Sequence, residues 1–217
     1  LGRLMTRTMA AYDAARTRAA LLKEISNSVK PNPNQMTPEG ADKSTQVKNL
    51  LVKAMRVETD FKPSIEQLTR DFNSAESTSQ LMKKLGLDET FLCREFSAGG
   101  LGVSADVLRT SCELELRHPK LQVVKGQPQI LAVAKYGPPK SYDRAIDKDI
   151  KNLNDLNRVT VQFQNPFALA LYYFALAKRF KIAGMRNKHD QPGGYTQPPC
   201  VHIMLDWDGK GDLVEVM

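Results

Sequence analysis

Apolar positions recur at helical spacing from Thr45 onward: Val47, Leu50, Leu51, Ala54 and Met55 fall on one side of a helix that Ser44 is placed to cap. Lys62 and Pro63 predict its end, because proline forfeits a backbone donor, and Ser64 then starts another helix through Ile65, Leu68 and Phe72. A short helix is predicted from Thr78 to Leu85, stopped by Gly86. Ser104 is placed to cap a helix through Cys112, and residues 121–135 read as extended, broken at Gly126 and Pro128. Gly137, Pro138 and Pro139 close that stretch, and a helix is predicted over 141–153. After Asn154 the period changes. Val159, Val161 and Phe163 alternate with Thr160 and Gln162, which predicts a strand over 155–163. Pro166 opens an apolar helix to Phe180, and Lys181 to Arg186 reads as a strand. Residues 189–199 read as an irregular loop. CVHIMLDW and DLVEVM then read as an antiparallel pair joined at Asp208-Gly209.

This order predicts an α+β fold, a mixed β-sheet flanked by helices with a helical N-terminal extension. Three segments follow: residues 1–43 as a basic helix and linker, 44–118 as a helical segment packing on the core, and 119–217 as the core itself. The first segment is Ala- and Leu-rich with Arg3, Arg7, Arg16 and Arg18, against which Asp13 and Glu24 weaken a targeting-peptide reading. The chain opens on Leu1, so it is expected to be a piece of a longer protein or a processed one.

Charge narrows the partners. A net charge of +7 suits a polyanion such as a nucleotide or RNA, with a merely solvated basic surface as the alternative. The longest apolar run, Phe167 to Ala177, is shorter than a membrane span needs. Cys93, Cys112 and Cys200 are odd in number and widely spaced, which argues against a disulfide scaffold or a zinc site and for a reducing compartment. His118, His189 and His202 have no ligand spacing. The glycines of AGGLG lack a preceding strand and a GK[ST] ending, so they read as a connector rather than a phosphate cradle.

The informative stretch begins at Lys135. On the predicted helix Lys140, Ser141, Arg144 and Lys148 make one cationic stripe, with a hydroxyl at the end that favours anions. Asp155 and Arg158 stand at the mouth of the following strand. A basic helix feeding a strand that begins with a carboxylate is what a nucleoside triphosphate and its magnesium need. Taken alone, each residue also has a plainer reading. Arg144 and Lys148 would pair with Asp143 or Asp147 on a surface helix, and Asp155 would be a turn residue. Tyr195 would be a loop aromatic, and Glu215, between Val214 and Val216, would face either solvent or a site.

The run KSYDRAIDK, then NDLNRVTVQF, a helix ending ALAKRFKI, then PGGY and a terminal LVEV, resembles the RelA/SpoT family of alarmone synthetases and their toxin relatives over roughly Lys135 to Met217. The resemblance implies a nucleotidyltransferase-like synthetase fold. It also implies transfer of pyrophosphate from ATP to the 3′-hydroxyl of a purine nucleotide, with Mg2+ as cofactor. By position, Lys140, Ser141, Arg144 and Lys148 would grip the ATP phosphates, with Arg158 near the donor nucleotide. Asp155 would hold magnesium, Tyr195 would stack on the acceptor base, and Glu215 would contact magnesium or activate the acceptor hydroxyl. Thr196 stands where the family often has arginine, TQPPC is longer than the usual link, and Met217 replaces a glutamine, so the acceptor side departs more than the donor side. Three readings stay open. One is a pyrophosphokinase, acting in the cytoplasm as a growth-inhibiting toxin delivered within a larger secreted protein and countered by a cognate immunity or antitoxin protein. The second acts on tRNA 3′ ends or binds RNA. The third is a catalytically inactive interaction domain.

Overall fold

Helix α1 runs unbroken over Lys43–Asn73 with Pro63 inside it, so the two helices expected on either side of Lys62-Pro63 are one. An interior proline costs a helix about 3 kcal/mol relative to alanine. Here Phe61 and Ile65, on either side of Pro63, are both buried, and burial outweighs the lost backbone bond. The start is also set differently from the expected Ser44 cap. Asp42 Oδ1 accepts from the Thr45 backbone N–H at 2.9 Å, and the Thr45 hydroxyl donates to Oδ2 at 3.0 Å. Those bonds, the backbone one foremost, hold the Asp42 carboxyl below its ordinary pKa.

In this computed structural model the chain is described over residues 38–75, 78–86, 132–163, 166–187, 200–207 and 212–217, with single positions at 31, 33, 35, 107, 110 and 209. The helix expected over 1–30, all but positions 107 and 110 of the one from Ser104 to Cys112, most of 121–135 and the 189–199 loop therefore lie outside the described residues. Two compact units divide the chain. One holds the described residues of Leu68–Val133 and Phe163–Lys178, the other those of Ser28–Gln67, Ala134–Gln162 and Arg179–Met217.

In the first unit, α2 (Thr78–Leu85) ends where expected, at Gly86. Gly86 takes a φ of 65°, a region that suits glycine, and its N–H returns to the Lys83 carbonyl at 3.1 Å. Helix α4 (Pro166–Arg179) is almost wholly apolar and buries Tyr172, whose hydroxyl meets that of Thr69 at 3.0 Å. Phe72 and Phe163 contact the Tyr172 ring edge-on at 5.6 and 5.1 Å. Among the described residues no helix is long and apolar enough to cross a membrane.

The remaining elements are β1 (Ala132–Tyr136), the short helix α3 (Tyr142–Ile146), a 3-10 turn (Ile150–Asn152), β2 (Asn157–Phe163), β3 (Lys181–Asn187), β4 (Val201–Asp206) and β5 (Leu213–Val216). The strands form one mixed five-stranded sheet in the order β1-β2-β5-β4-β3. β5 runs parallel to β2 and antiparallel to β4, and β4 runs antiparallel to β3. The chain is thus α+β with a mixed sheet. Paired residues share a face, so Arg158, Glu215 and Met204 form one row across β2, β5 and β4. Arg186 and His202 form the adjoining row on β3 and β4. Asn157 points to the opposite face and donates to the Ala54 carbonyl of α1 at 2.9 Å.

The helix expected over 141–153 is broken into two short pieces. α3 ends at Ile146, Asp149 is extended at ψ 131°, and its side chain accepts from Lys151 N–H to open the 3-10 turn. The break lets Ala145, Ile150, Leu153 and Leu156 all reach one core with Val47, Leu50 and Ala54 of α1, which a single straight helix would not do. Leu153 is fully buried in that core. Leu153→Ala should therefore lower unfolding free energy by about 2–5 kcal/mol, measured by urea denaturation. A loss under ~0.5 kcal/mol would show that this cluster does not hold the loop.

Candidate functional site

The segment between the 3-10 turn and β2 reads Leu153-Asn154-Asp155-Leu156, and both leucines are buried. Anchored on each side, Asp155 keeps little freedom beyond its own side-chain torsions. Backbone pairing brings a partner to it. The Lys140 N–H meets the Leu156 carbonyl at 3.4 Å, and the Lys140 ammonium forms an ion pair with Asp155 Oδ1. The Lys140 side chain is only 7% exposed. Burial pushes the Asp155 pKa up, but the Lys140 hydrogen bond and charge, with Lys148 and Arg158 behind them, bring it below its ordinary value. For Lys140 the balance goes the other way. Burial lowers its pKa and Lys148 adds to that, and the pairing with Asp155 offsets them only in part. The ion pair therefore fixes position more than it adds stability.

From Asp155 the contacts continue across the sheet. Arg158 Nη2 lies 3.1 Å from Asp155 Oδ2, and Arg158 Nε lies 2.9 Å from Glu215 Oε2. Glu215 is 6% exposed, on a strand whose residues are all buried. Its other oxygen, Oε1, is 2.9 Å from His202 Nδ1. The Arg158 Nε contact is not aligned for a hydrogen bond, so among the described residues Oε2 is a buried acceptor without a directed donor. Asn154 Oδ1 is a second such acceptor, while Asn154 Nδ2 donates to the Pro33 carbonyl at 2.8 Å.

These groups surround a cavity of about 390 Å³, in the size range of small-molecule sites. Lys148, Asp155, Arg158 and Glu215 line it, joined by Arg186, His202, Asn152, Asn154, Pro33, Met204 and Met217. Lys140 reaches the site through Asp155 rather than by lining the cavity. Ser141 and Arg144 are exposed and stand outside the lining, because α3 stops before a cationic stripe can form. Ser141 occupies the N-cap of α3 without a side-chain hydrogen bond to it. Tyr195 lies outside the described residues.

Sequence reasoning missed His202 and Arg186. Neither has a spacing signature, since each reaches the site through strand register across β3, β4 and β5. The usable signal was the alternation in Val201-His202-Ile203-Met204, which sets His202 and Met204 on the face opposite Ile203.

Asp155 and Glu215 flank the Arg158 guanidinium, so the space between the acids already attracts a cation. Among the described residues no group of three or more His, Cys, Asp or Glu side chains gathers into a ligand set. Magnesium on a nucleoside triphosphate takes one or two carboxylates and completes its shell with phosphates and water. Two carboxylates, one of them with a buried oxygen that receives no hydrogen bond, fit that requirement. Comparison with protein-family models, characterised proteins and solved structures finds no match to this chain.

The depressed Asp155 pKa carries a sign. An acid that holds its proton less tightly when folded adds stability above its unfolded pKa, and that addition disappears as pH falls through the lower folded value. Asp155→Asn should therefore be less stable than the parent at neutral pH, with the gap closing in acid below the ordinary aspartate pKa of about 3.9. Urea midpoints of both proteins across pH 2–7 would measure it, and a gap that does not narrow in acid would contradict the pairing.

Proposed function

We propose that this chain transfers pyrophosphate from ATP to the 3′-hydroxyl of a purine nucleotide, on a sheet of the nucleotidyltransferase-like synthetase fold. The observation that carries the reading is the pairing of Arg158 with both Asp155 and Glu215 at the wall of an open cavity that Lys148 and Arg186 also line. The RelA/SpoT-like order of motifs supports the same assignment.

The reaction needs charge compensation along a triphosphate and a group that accepts the proton of the attacking hydroxyl. Lys148 and Arg158 bring cations to the cavity wall for the phosphates. Lys140 neutralises Asp155 and keeps it seated while the cavity is open to water. The acceptor 3′-oxygen bonds to the β-phosphorus of ATP as the bond from that phosphorus to the α,β-bridging oxygen breaks. AMP leaves with the electron pair, and the hydroxyl proton passes to the Glu215 carboxylate. Asp155 is the residue that would hold magnesium while Glu215 serves as the base, and the ion would supply further neutralisation of the phosphates when bound. In this reading a cytoplasmic growth inhibitor of this kind would draw on the cell's own ATP, and a cognate immunity protein would protect the cell that makes it.

Incubation with ATP, magnesium and each of GDP, GTP, ADP, ATP and tRNA, followed by separation of products, tests the proposal. The expected result is AMP together with an acceptor heavier by one pyrophosphate. Asp155→Asn and Glu215→Gln should each lower turnover by ~10²-fold or more while circular dichroism stays that of the parent. Pyrophosphate appearing on tRNA alone would move the assignment to RNA ends, and the absence of AMP with every acceptor would remove it.

A further inference from the structure

We propose that His202 is a positioning residue for Glu215: it holds one carboxylate oxygen so that the other keeps a single seat beside Arg158 at the cavity wall. The inference rests on the pyrophosphate-transfer reading for its kinetic consequence, though not for its geometry.

Glu215 belongs to β5, the middle strand, hydrogen-bonded to β2 on one side and β4 on the other. Its backbone is therefore fixed, and the freedom left is in the side chain, whose terminal torsion has a broad energy well. Glu215 pairs directly with Met204, and His202 lies two residues before Met204 on the same face, so His202 is its diagonal cross-strand neighbour. The His202 Nδ1 to Glu215 Oε1 distance is 2.9 Å, and the two side chains are only 17% and 7% exposed, which leaves water little access to compete. A carboxylate only accepts, so Nδ1 carries the donated proton, an assignment that follows from the partner. Arg158 cannot set the direction by itself. It lies 2.9 Å from Oε2 without hydrogen-bond alignment, and its side chain is 41% exposed. The one directed bond that Glu215 receives among the described residues comes from His202. A base aimed at a hydroxyl loses efficiency steeply when its oxygen swings away, because the reacting atoms must meet within a narrow geometry.

Asparagine places Nδ2 where histidine places Nδ1, two bonds beyond Cβ, so it restores the donor without the ring. Leucine restores bulk without a donor. In the full chain, His202→Ala and His202→Leu should lower kcat by roughly 10–100-fold with the KM for ATP held within about threefold, and His202→Asn should recover most of the loss. Equal losses in all three variants, or a loss carried by the KM for ATP, would overturn the proposal. Crystal structures of the same variants without nucleotide give a readout independent of turnover. The Glu215 carboxylate should keep its seat beside Arg158 in His202→Asn and turn away in His202→Ala and His202→Leu. A carboxylate unmoved in those two variants overturns the positioning role whatever reaction the protein performs. A moved carboxylate in a chain that makes no AMP with any acceptor supports that role and removes the transfer reading instead.

Discussion

One guanidinium organises the site. Arg158 reaches Asp155 with one nitrogen and Glu215 with another, and those acids come from segments far apart in sequence. Two carboxylates this close to one point would repel without a cation between them; Arg158 donates a hydrogen bond to Asp155 and meets Glu215 by charge alone. The side chain is 41% exposed, so water screens the attraction and its contribution to stability is small. Its contribution to geometry is larger. It couples the end of a core-anchored loop to the middle of the sheet.

The positions that Arg158 joins are set by burial and register, not by charge. Leu153 and Leu156 hold the loop on the core beneath α1, and Asp155 is carried between them. On the other side, parallel pairing of β2 with β5 puts Arg158 level with Glu215. The pairing continues past the end of β5, where Val161 N–H donates to the Met217 carbonyl at 2.7 Å and Met217 N–H donates to Val159 at 2.9 Å. A one-residue slip would turn Glu215 to the face where Asn157 meets α1. Apolar packing thus decides where the ionic groups stand, and the ionic groups refine the placement.

Elements with a clean period were legible in the sequence. The alternation through Val159, Val161 and Phe163, the uninterrupted apolar run of α4 and the β4–β5 pair all appear close to the expected bounds. Asp155, Arg158, Lys148 and Glu215 were legible as candidates through motif order, and all four line one cavity. What could not be read depended on contacts between distant residues. Pro63 looked like a stop because its cost is local while the burial of Phe61 and Ile65 is tertiary. Residues 141–153 looked like one helix because Lys140, Arg144 and Lys148 keep helical spacing, yet the core needs Ile150, Leu153 and Leu156 to turn together. His202 has no neighbour in sequence that marks it, since its partner is reached only by strand pairing.

The sheet order has a consequence for biosynthesis. β5 sits in the middle of the sheet but comes last of the five strands along the chain. Until the ribosome has delivered it, β2 and β4 each present a bare edge, the kind of surface that invites mispairing or capture by a holding chaperone. A growing polypeptide that carries Asp155, Arg158 and His202 but not yet Leu213–Val216 lacks the Arg158–Glu215 and His202–Glu215 contacts and the strand that joins β2 to β4. The site proposed for this protein is thus completed only when a strand is inserted between two neighbours that are already made.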